Sequence, residues 1–323
     1  MLVKNTTLHI LKSFPKLRIS FVIFLILFLS GCQEQNGSQT ITAVSDLKTR
    51  KTLTIGIVPE ENVFELKKKY LPLMKYLSNK LDMKVQVKLL DSYGAVDEAI
   101  SRGDIEGAIL GSAGVIKRYE KHSIALIARP QYSGSHSFYK ALIIAEKSSG
   151  ITGDINTWKG KKLALAHERT TTSIFVKWHL RKRGISSEQQ LFRKVEYAGS
   201  HDAVIILILE RNAAIGGVKD SILKRFIDRH PAYRGRFAIL AESAPAPENT
   251  LVVSSRLPKD IKNLLKKNLL EIHDNPEGKI ALKVLGADRF VATNYAEYAA
   301  IENMLHDLAS GAKIHQASPF ADK

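Results

Sequence analysis

The sequence predicts an α/β protein of two lobes, each a mainly parallel sheet flanked by helices, joined by two crossing segments. Three observations predict it. From residue 53 onward short apolar runs alternate with amphipathic helical stretches, the pattern of strand-helix-strand units whose strands lie parallel. That pattern stops at a Gly, Asp, Asn and Thr cluster over residues 150–157 and then begins again. A strand around Leu251 and a helical tail are left over once the second run is filled, and returning them to the first lobe is the economical solution. The expected division is 51–143 with 246–323 as lobe 1, and 144–245 as lobe 2.

Residues 53–58 (LTIGIV) are the first strand, stopped by Pro59. Residues 63–82 have helical spacing, with Leu66, Tyr70, Leu73, Leu77 and Leu81 on one face. Strands follow at 85–90 and 105–110 around a helix at 94–101, and residues 139–145 (YKALIIA) are a further strand. In the second lobe the strands are 162–166, 192–197, 213–218 and 237–241, with helices at 172–183, closed by Gly184, and at 203–210. A loop containing Pro245 and Pro247 leads to the strand at 251–254, and the tail from Lys259 is helical with a break at Pro276.

The amino terminus is a separate matter. Lys4, Lys12, Lys16 and Arg18 precede an apolar run interrupted only by Ser20, ISFVIFLILFL, too short for a comfortable membrane span but suited to a secretory signal. The run leads to Leu29-Ser30-Gly31-Cys32, which resembles a bacterial lipobox with Cys32 as the lipidated residue. Residues 1–31 are thus expected to be a lipoprotein signal peptide, and 32–50 a polar linker. Cys32 is the only cysteine, which excludes a disulfide and a cysteine metal site. Without the signal peptide the formal charge falls from +16 to +12. The lysines and arginines are scattered, so an exported protein of this kind is read as attracting an anionic ligand or membrane surface, with no nucleic-acid partner.

Ligands of parallel α/β sheets bind beyond the carboxyl ends of strands, where helix N-termini point. The residues there are rich in hydroxyls and neutral donors: Ser92-Tyr93-Gly94, Gly111-Ser112, Thr170-Thr171-Thr172-Ser173, Gly199-Ser200-His201-Asp202 and Lys219-Asp220-Ser221. Free N–H groups at several helix starts make a site for a tetrahedral oxyanion. A single such residue is only an N-cap, but four consecutive hydroxyls exceed one cap, and histidine is not a cap residue. Ser200, His201 and Asp202 are adjacent on one chain and cannot form a catalytic triad, and there is no nucleophile elbow, H-E-x-x-H motif or Walker loop. No turnover is expected.

IGIVPEEN, DSYGAVDEAI, the TTTS segment, YAGSHDAVIILI and PEGKIALKVLGADRFV resemble, in that order, the phosphate, phosphite and phosphonate substrate-binding proteins of ABC transporters. The resemblance implies a type II periplasmic-binding-protein fold whose cleft closes on its ligand, no cofactor, no metal and a monomer. It implies that Thr170, Thr171 and Thr172, His201, Tyr93 and Tyr139 grip the oxyanion, with Ser112 and Asp220 as further candidates. Where relatives that bind aminoalkylphosphonates hold the amine with carboxylates, the aligned positions here are Ser221 and Asn249, beside Asp220 and Glu248. The expected function is capture of a small phosphorus oxyanion for an ABC permease, by a receptor lipid-anchored at Cys32 and facing the periplasm or cell exterior. The alternative is a sensing subunit that feeds a separate membrane kinase.

Overall fold

The computed structural model describes residues 52–132 and 136–310; the signal-peptide, lipobox and linker expectations lie outside them. The chain runs β1 (Thr52–Ile57), α1 (Val63–Leu81), β2 (Lys84–Leu89), α2 (Ala95–Arg102), β3 (Gly107–Leu110), α3 (Ser112–Tyr119) and β4 (Ile124–Gln131). The short β5 (Phe138–Tyr139) leads into the second lobe: β6 (Ala141–Glu146), β7 (Lys162–Leu165), α4 (Thr171–Arg181), β8 (Lys194–Tyr197), α5 (His201–Leu209), β9 (Ile215–Lys219), α6 (Asp220–Arg229) and β10 (Phe237–Glu242). It returns through β11 (Ala246–Pro247) to β12 (Thr250–Ser254), α7 (Lys259–Leu270), α8 (Pro276–Leu285), β13 (Arg289–Val291) and α9 (Ala299–Ala309).

Two sheets result, in the orders β13-β4-β12-β3-β1-β2 and β10-β6-β9-β7-β8. Both are mixed. Parallel pairing is confined to β2-β1-β3 and β8-β7-β9, whereas β12, β4 and β13 in one sheet and β6 and β10 in the other join antiparallel. The physical reason is the crossing: a strand that enters a sheet directly from the other lobe has no crossover helix to turn it parallel. The two crossings are β5 and β11, which pair antiparallel with each other as a two-stranded ribbon between the lobes.

α1 shows how local sequence sets these elements. The Asn62 side chain caps it by accepting from the N–H groups of Phe64 and Glu65, and Leu66, Tyr70, Leu73, Leu77 and Leu81 are its buried face. β4 is absent from the sequence expectation because Arg129 and Pro130 interrupt its apolar pattern. Arg129 is nevertheless buried: it binds the Glu297 carboxylate through two nitrogens and stacks over Phe138 at 4.7 Å. α3 and α6 are likewise additional to the elements anticipated.

Two boundaries also differ. β6 lies wholly in the second sheet, so the expected cut at 143 falls inside it. α9, assigned with the first lobe, packs on α4 of the second, where Trp178 donates to Asp307 at 2.8 Å and Arg181 to the Leu308 carbonyl. Its amphipathic face bridges the lobes, a placement that periodicity alone cannot specify.

Candidate functional site

The carboxyl ends of β1, β3, β7 and β9 and the starts of α3, α4 and α5 face one another across the lobes. They enclose a cavity of about 50 Å³ lined by Tyr93, Tyr139, Thr170, Thr171, Thr172 and His201, with Glu60, Arg118, Arg169 and Lys219 beside them. One water needs roughly 10–15 Å³ on that measure, so the space suits a ligand of a few heavy atoms.

Most of the wall is built from helix starts. Thr170 is the N-cap of α4: its hydroxyl accepts from the Ser173 N–H, donates to the His167 carbonyl, and lies 2.9 Å from the Thr172 and Ser173 hydroxyls. The N–H groups of Thr171 and Thr172 occupy the first turn, where a helix supplies no partner of its own. Ser200 caps α5 in the same manner through the Ala203 N–H, and Gly199 precedes it at φ 85°, a left-handed conformation costly for any other residue.

His201 then enters the cavity, with 3% of its surface exposed. Burial, then the Lys219 charge, pushes its pKa down to about 3, so the imidazole is neutral at pH 7 and offers a hydrogen bond rather than a charge. Its Nδ1 and the Tyr93 hydroxyl are both buried and find no hydrogen-bond partner in the chain. Six other buried side-chain atoms among the described residues share that state, so it is their common place in the cavity wall that singles these two out. Burial raises Tyr93 well above the ordinary tyrosine value and pushes Tyr139 up to about 12, so both phenols keep their protons.

The remaining wall is ionic. Lys219, the last residue of β9, is 4% exposed. Its Nζ lies 2.5 Å from Glu248 Oε2, 3.0 Å from Asn249 Oδ1 and 4.1 Å from the Tyr139 ring centre. Glu60 accepts from the Asn249 amide. Behind it Glu61 accepts from Lys69 at 3.2 Å and from Arg225 at 2.8 Å, and that second bond joins the lobes. Burial opposes its ionisation, but these two cations together bring the Glu61 carboxyl down to about 2. At the other end Asp97 faces Arg118 at 2.9 Å, Lys117 at 3.4 Å and Arg169 at 3.9 Å.

The lobes are held together by more than Arg225. The His201 backbone N–H donates to the Glu60 carbonyl at 3.0 Å, and the Ala113 N–H to the Thr171 hydroxyl at 3.2 Å. The Asp202 carboxylate accepts from the Asn62 N–H and lies 3.5 Å from Arg229. Ser200, His201 and Asp202 thus have three separate tasks: cap, cavity wall and interlobe clasp.

Of the residues singled out by sequence, Ser112 and Asp220 do not face the cavity. Ser112 is fully buried and donates to the Pro247 carbonyl on a crossing strand. Asp220 opens α6 with its carboxylate accepting from the neighbouring Ser221 N–H at 2.6 Å. Strand alternation puts Lys219, and not its neighbour, on the cavity side. Glu60, Arg118, Arg169 and Arg225 were not anticipated, and Lys219 stood in an expected strand-end segment without being chosen as a ligand residue. A lysine ending the otherwise apolar strand IGGVK was the one signal available for Lys219.

Residues 55–298 match the family model for the periplasmic substrate-binding protein of the phosphonate ABC transporter. The chain belongs to this family. It is a family of transporter receptors, not of enzymes, whose members bind small phosphorus oxyanions and work with an ABC permease outside the cytoplasm. Among relatives, the phosphate-import protein PhnD of Mycolicibacterium smegmatis is 22% identical over 249 residues, covering 74% of this chain and 77% of that one. A probable phosphite-binding protein, PhnD1 of Prochlorococcus marinus, is 21% identical over 267 residues, covering 79% and 89%. The solved structure of that PhnD1 with methylphosphonate superposes with a TM-score of 0.70 at 19% identity, covering 80% of this chain and 98% of that one. A binding component of a phosphonate transporter from Pseudomonas aeruginosa gives 0.69 at 17%, covering 80% and 96%. These likenesses establish the two-lobed periplasmic-binding-protein fold. Among the described residues no helix is long and apolar enough to cross a membrane, and no cluster of side chains has the makings of a metal site.

Proposed function

We propose that this chain is a lipid-anchored receptor that captures one small phosphorus oxyanion, phosphate, phosphite or a short phosphonate, between its lobes and presents it to an ABC permease. The observation that carries this reading is the convergence on one 50 Å³ cavity of helix starts, threonine hydroxyls and two buried polar atoms without partners in the chain. Donors from both lobes around one anion favour the closed state by contacts that exist only there, so binding and closure are one equilibrium. Tyr93, Tyr139 and the first turn of α4 are its neutral donors, and His201 presents the ring nitrogen left free by its hydrogen bond to the Gly217 carbonyl; Lys219, Arg118 and Arg169 supply the charge. The names of the relatives support the ligand class, and the signal and Cys32 pattern support anchoring on the extracytoplasmic face.

The test is calorimetric titration of the soluble chain, begun after Cys32 and freed of bound ligand by mild unfolding, with phosphate, phosphite, methylphosphonate and sulfate. One-to-one binding of a phosphorus oxyanion that His201→Ala weakens is the expected result. Preference for sulfate, or silence with all four, contradicts the reading. Loss of radiolabelled palmitate from the full-length chain in Cys32→Ser tests the anchor.

A further inference from the structure

The chain has a cation at the inner end of its cavity; Glu248 and Asp97 near that cavity are ion-paired, and Glu60 is held by a neutral amide. Glu248 is 3% exposed and held by Lys219 at 2.5 Å. Glu60 accepts from Asn249, whose own carbonyl oxygen accepts from Lys219 at 3.0 Å. Asp97 is surrounded by Arg118, Lys117 and Arg169. Counting the charged side chains that line the cavity, Lys117, Arg118, Arg169 and Lys219 stand against Glu60 and Asp97, with His201 neutral. With Glu248, which pairs with Lys219 from behind the wall, included, the excess is one positive charge, which favours an anion.

Given the receptor reading above, we propose that Lys219 is a selectivity residue: its ammonium, fixed between Glu248, Asn249 and the Tyr139 ring, takes the neutralising position that a ligand amine needs, so the site admits amine-free oxyanions and rejects aminoalkylphosphonates.

The physics follows from the surroundings. Two ammonium groups in a desolvated space repel strongly, because little water is present to screen them. A ligand amine could escape that repulsion only against Glu60, the one lining carboxylate without a cation in salt-bridge contact, and one of its oxygens is already taken by the Asn249 amide. Displacing Lys219 from Glu248 is no remedy, since it leaves a buried cation unpaired. A buried pair of this kind acts against the wrong ligand as much as for the right one. The same ammonium adds charge beside the neutral donors, so its removal weakens the proper ligand as well.

The test compares ethylphosphonate with aminomethylphosphonate, which have the same heavy-atom skeleton and differ in a methyl or ammonium terminus, alongside phosphate, phosphite and methylphosphonate. In the wild-type chain aminomethylphosphonate is expected to bind at least about 100-fold more weakly than ethylphosphonate. In Lys219→Ala the ratio is expected to narrow at least about tenfold, because Glu248 is left facing the ligand amine, while affinity for the simple oxyanions falls. The double variant Lys219→Met with Glu248→Leu removes both charges and guards against failure of the single variant to fold; in it the ratio narrows too, by removal of the repulsion alone. Equal binding of the matched pair by the wild-type chain, tight or weak, overturns the proposal, as does an unchanged ratio in both variants. Absence of binding to every phosphorus oxyanion overturns the receptor reading itself, and this proposal with it.

Discussion

The two walls of the cavity are made of different material. One, from Tyr93, Thr170 to Ser173 and His201, consists of neutral polar groups at helix starts, with His201 held neutral by burial. The other, from Glu61, Lys69, Lys219, Arg225 and Glu248, consists of paired charges, with Glu60 held beside them by the Asn249 amide. The neutral wall has hydrogen-bonding capacity to spare, in Tyr93 and His201. In the ionic wall the Arg225 Nε–H is the buried group without a partner. A site that must hold an anion reversibly benefits from the division: neutral donors bind without repelling one another in the empty state, and the charged wall fixes shape, closure and the sign of what enters.

The largest effect should come from unbalancing the ionic wall. Glu248→Leu leaves the buried Lys219 ammonium without its carboxylate, and urea unfolding should show a loss of ~3–5 kcal/mol. A change under 1 kcal/mol would mean that the pair is not load-sharing as its geometry implies. In the neutral wall, His201→Ala should weaken oxyanion binding by roughly 10–100-fold, the worth of a hydrogen bond to a charged group, with a much smaller change in unfolding. If stability fell more than affinity, the two walls would not differ in the way described.

Thr170→Ala should cost about 1 kcal/mol of stability as the loss of the α4 N-cap, and should weaken the ligand only modestly, because that hydroxyl is already shared with Ser173 and the His167 carbonyl. The smallest expected effect is a difference in how the walls respond to acid. The unfolded chain takes up a proton on His201 near pH 6.5 whereas the folded chain resists until about 3, so stability falls as pH drops through that range. His179, lowered by burial to about 4, adds to the same slope. Glu61 is depressed from 4.5 to about 2, so its contribution is complete above pH 4.5 and is lost only below it. Unfolding measured between pH 6.5 and 5 should therefore flatten in His201→Gln and stay unchanged in Glu61→Gln; the opposite pattern would exchange the two assignments.

The same division explains what the sequence could reveal. Strand ends, hydroxyl runs and caps are local, so the helices expected from 172 and 203, which begin at 171 and 201, and the two-lobed α/β plan were legible from short stretches. The ionic wall joins residues up to 189 positions apart, as in Glu60 with Asn249, and no spacing rule links them. Asp220 was anticipated from the resemblance, as a carboxylate beside Ser221 that could substitute for one that holds a ligand amine, whereas the cavity takes Lys219, one residue earlier. β4 was hidden by Arg129, whose burial depends on Glu297 far along the chain. The antiparallel strands that return from each crossing were hidden for a related reason: direction in a sheet is a property of the connection, not of the strand.

The central claim is that the cavity between the lobes is the oxyanion site, and the most direct measurement is a crystal structure of the chain with whichever phosphorus oxyanion binds best. The account predicts one anion within hydrogen-bonding distance of His201, the Tyr93 hydroxyl and the first-turn N–H groups of Thr171 and Thr172. An anion seated elsewhere, with His201 and Tyr93 still unpartnered, would contradict it.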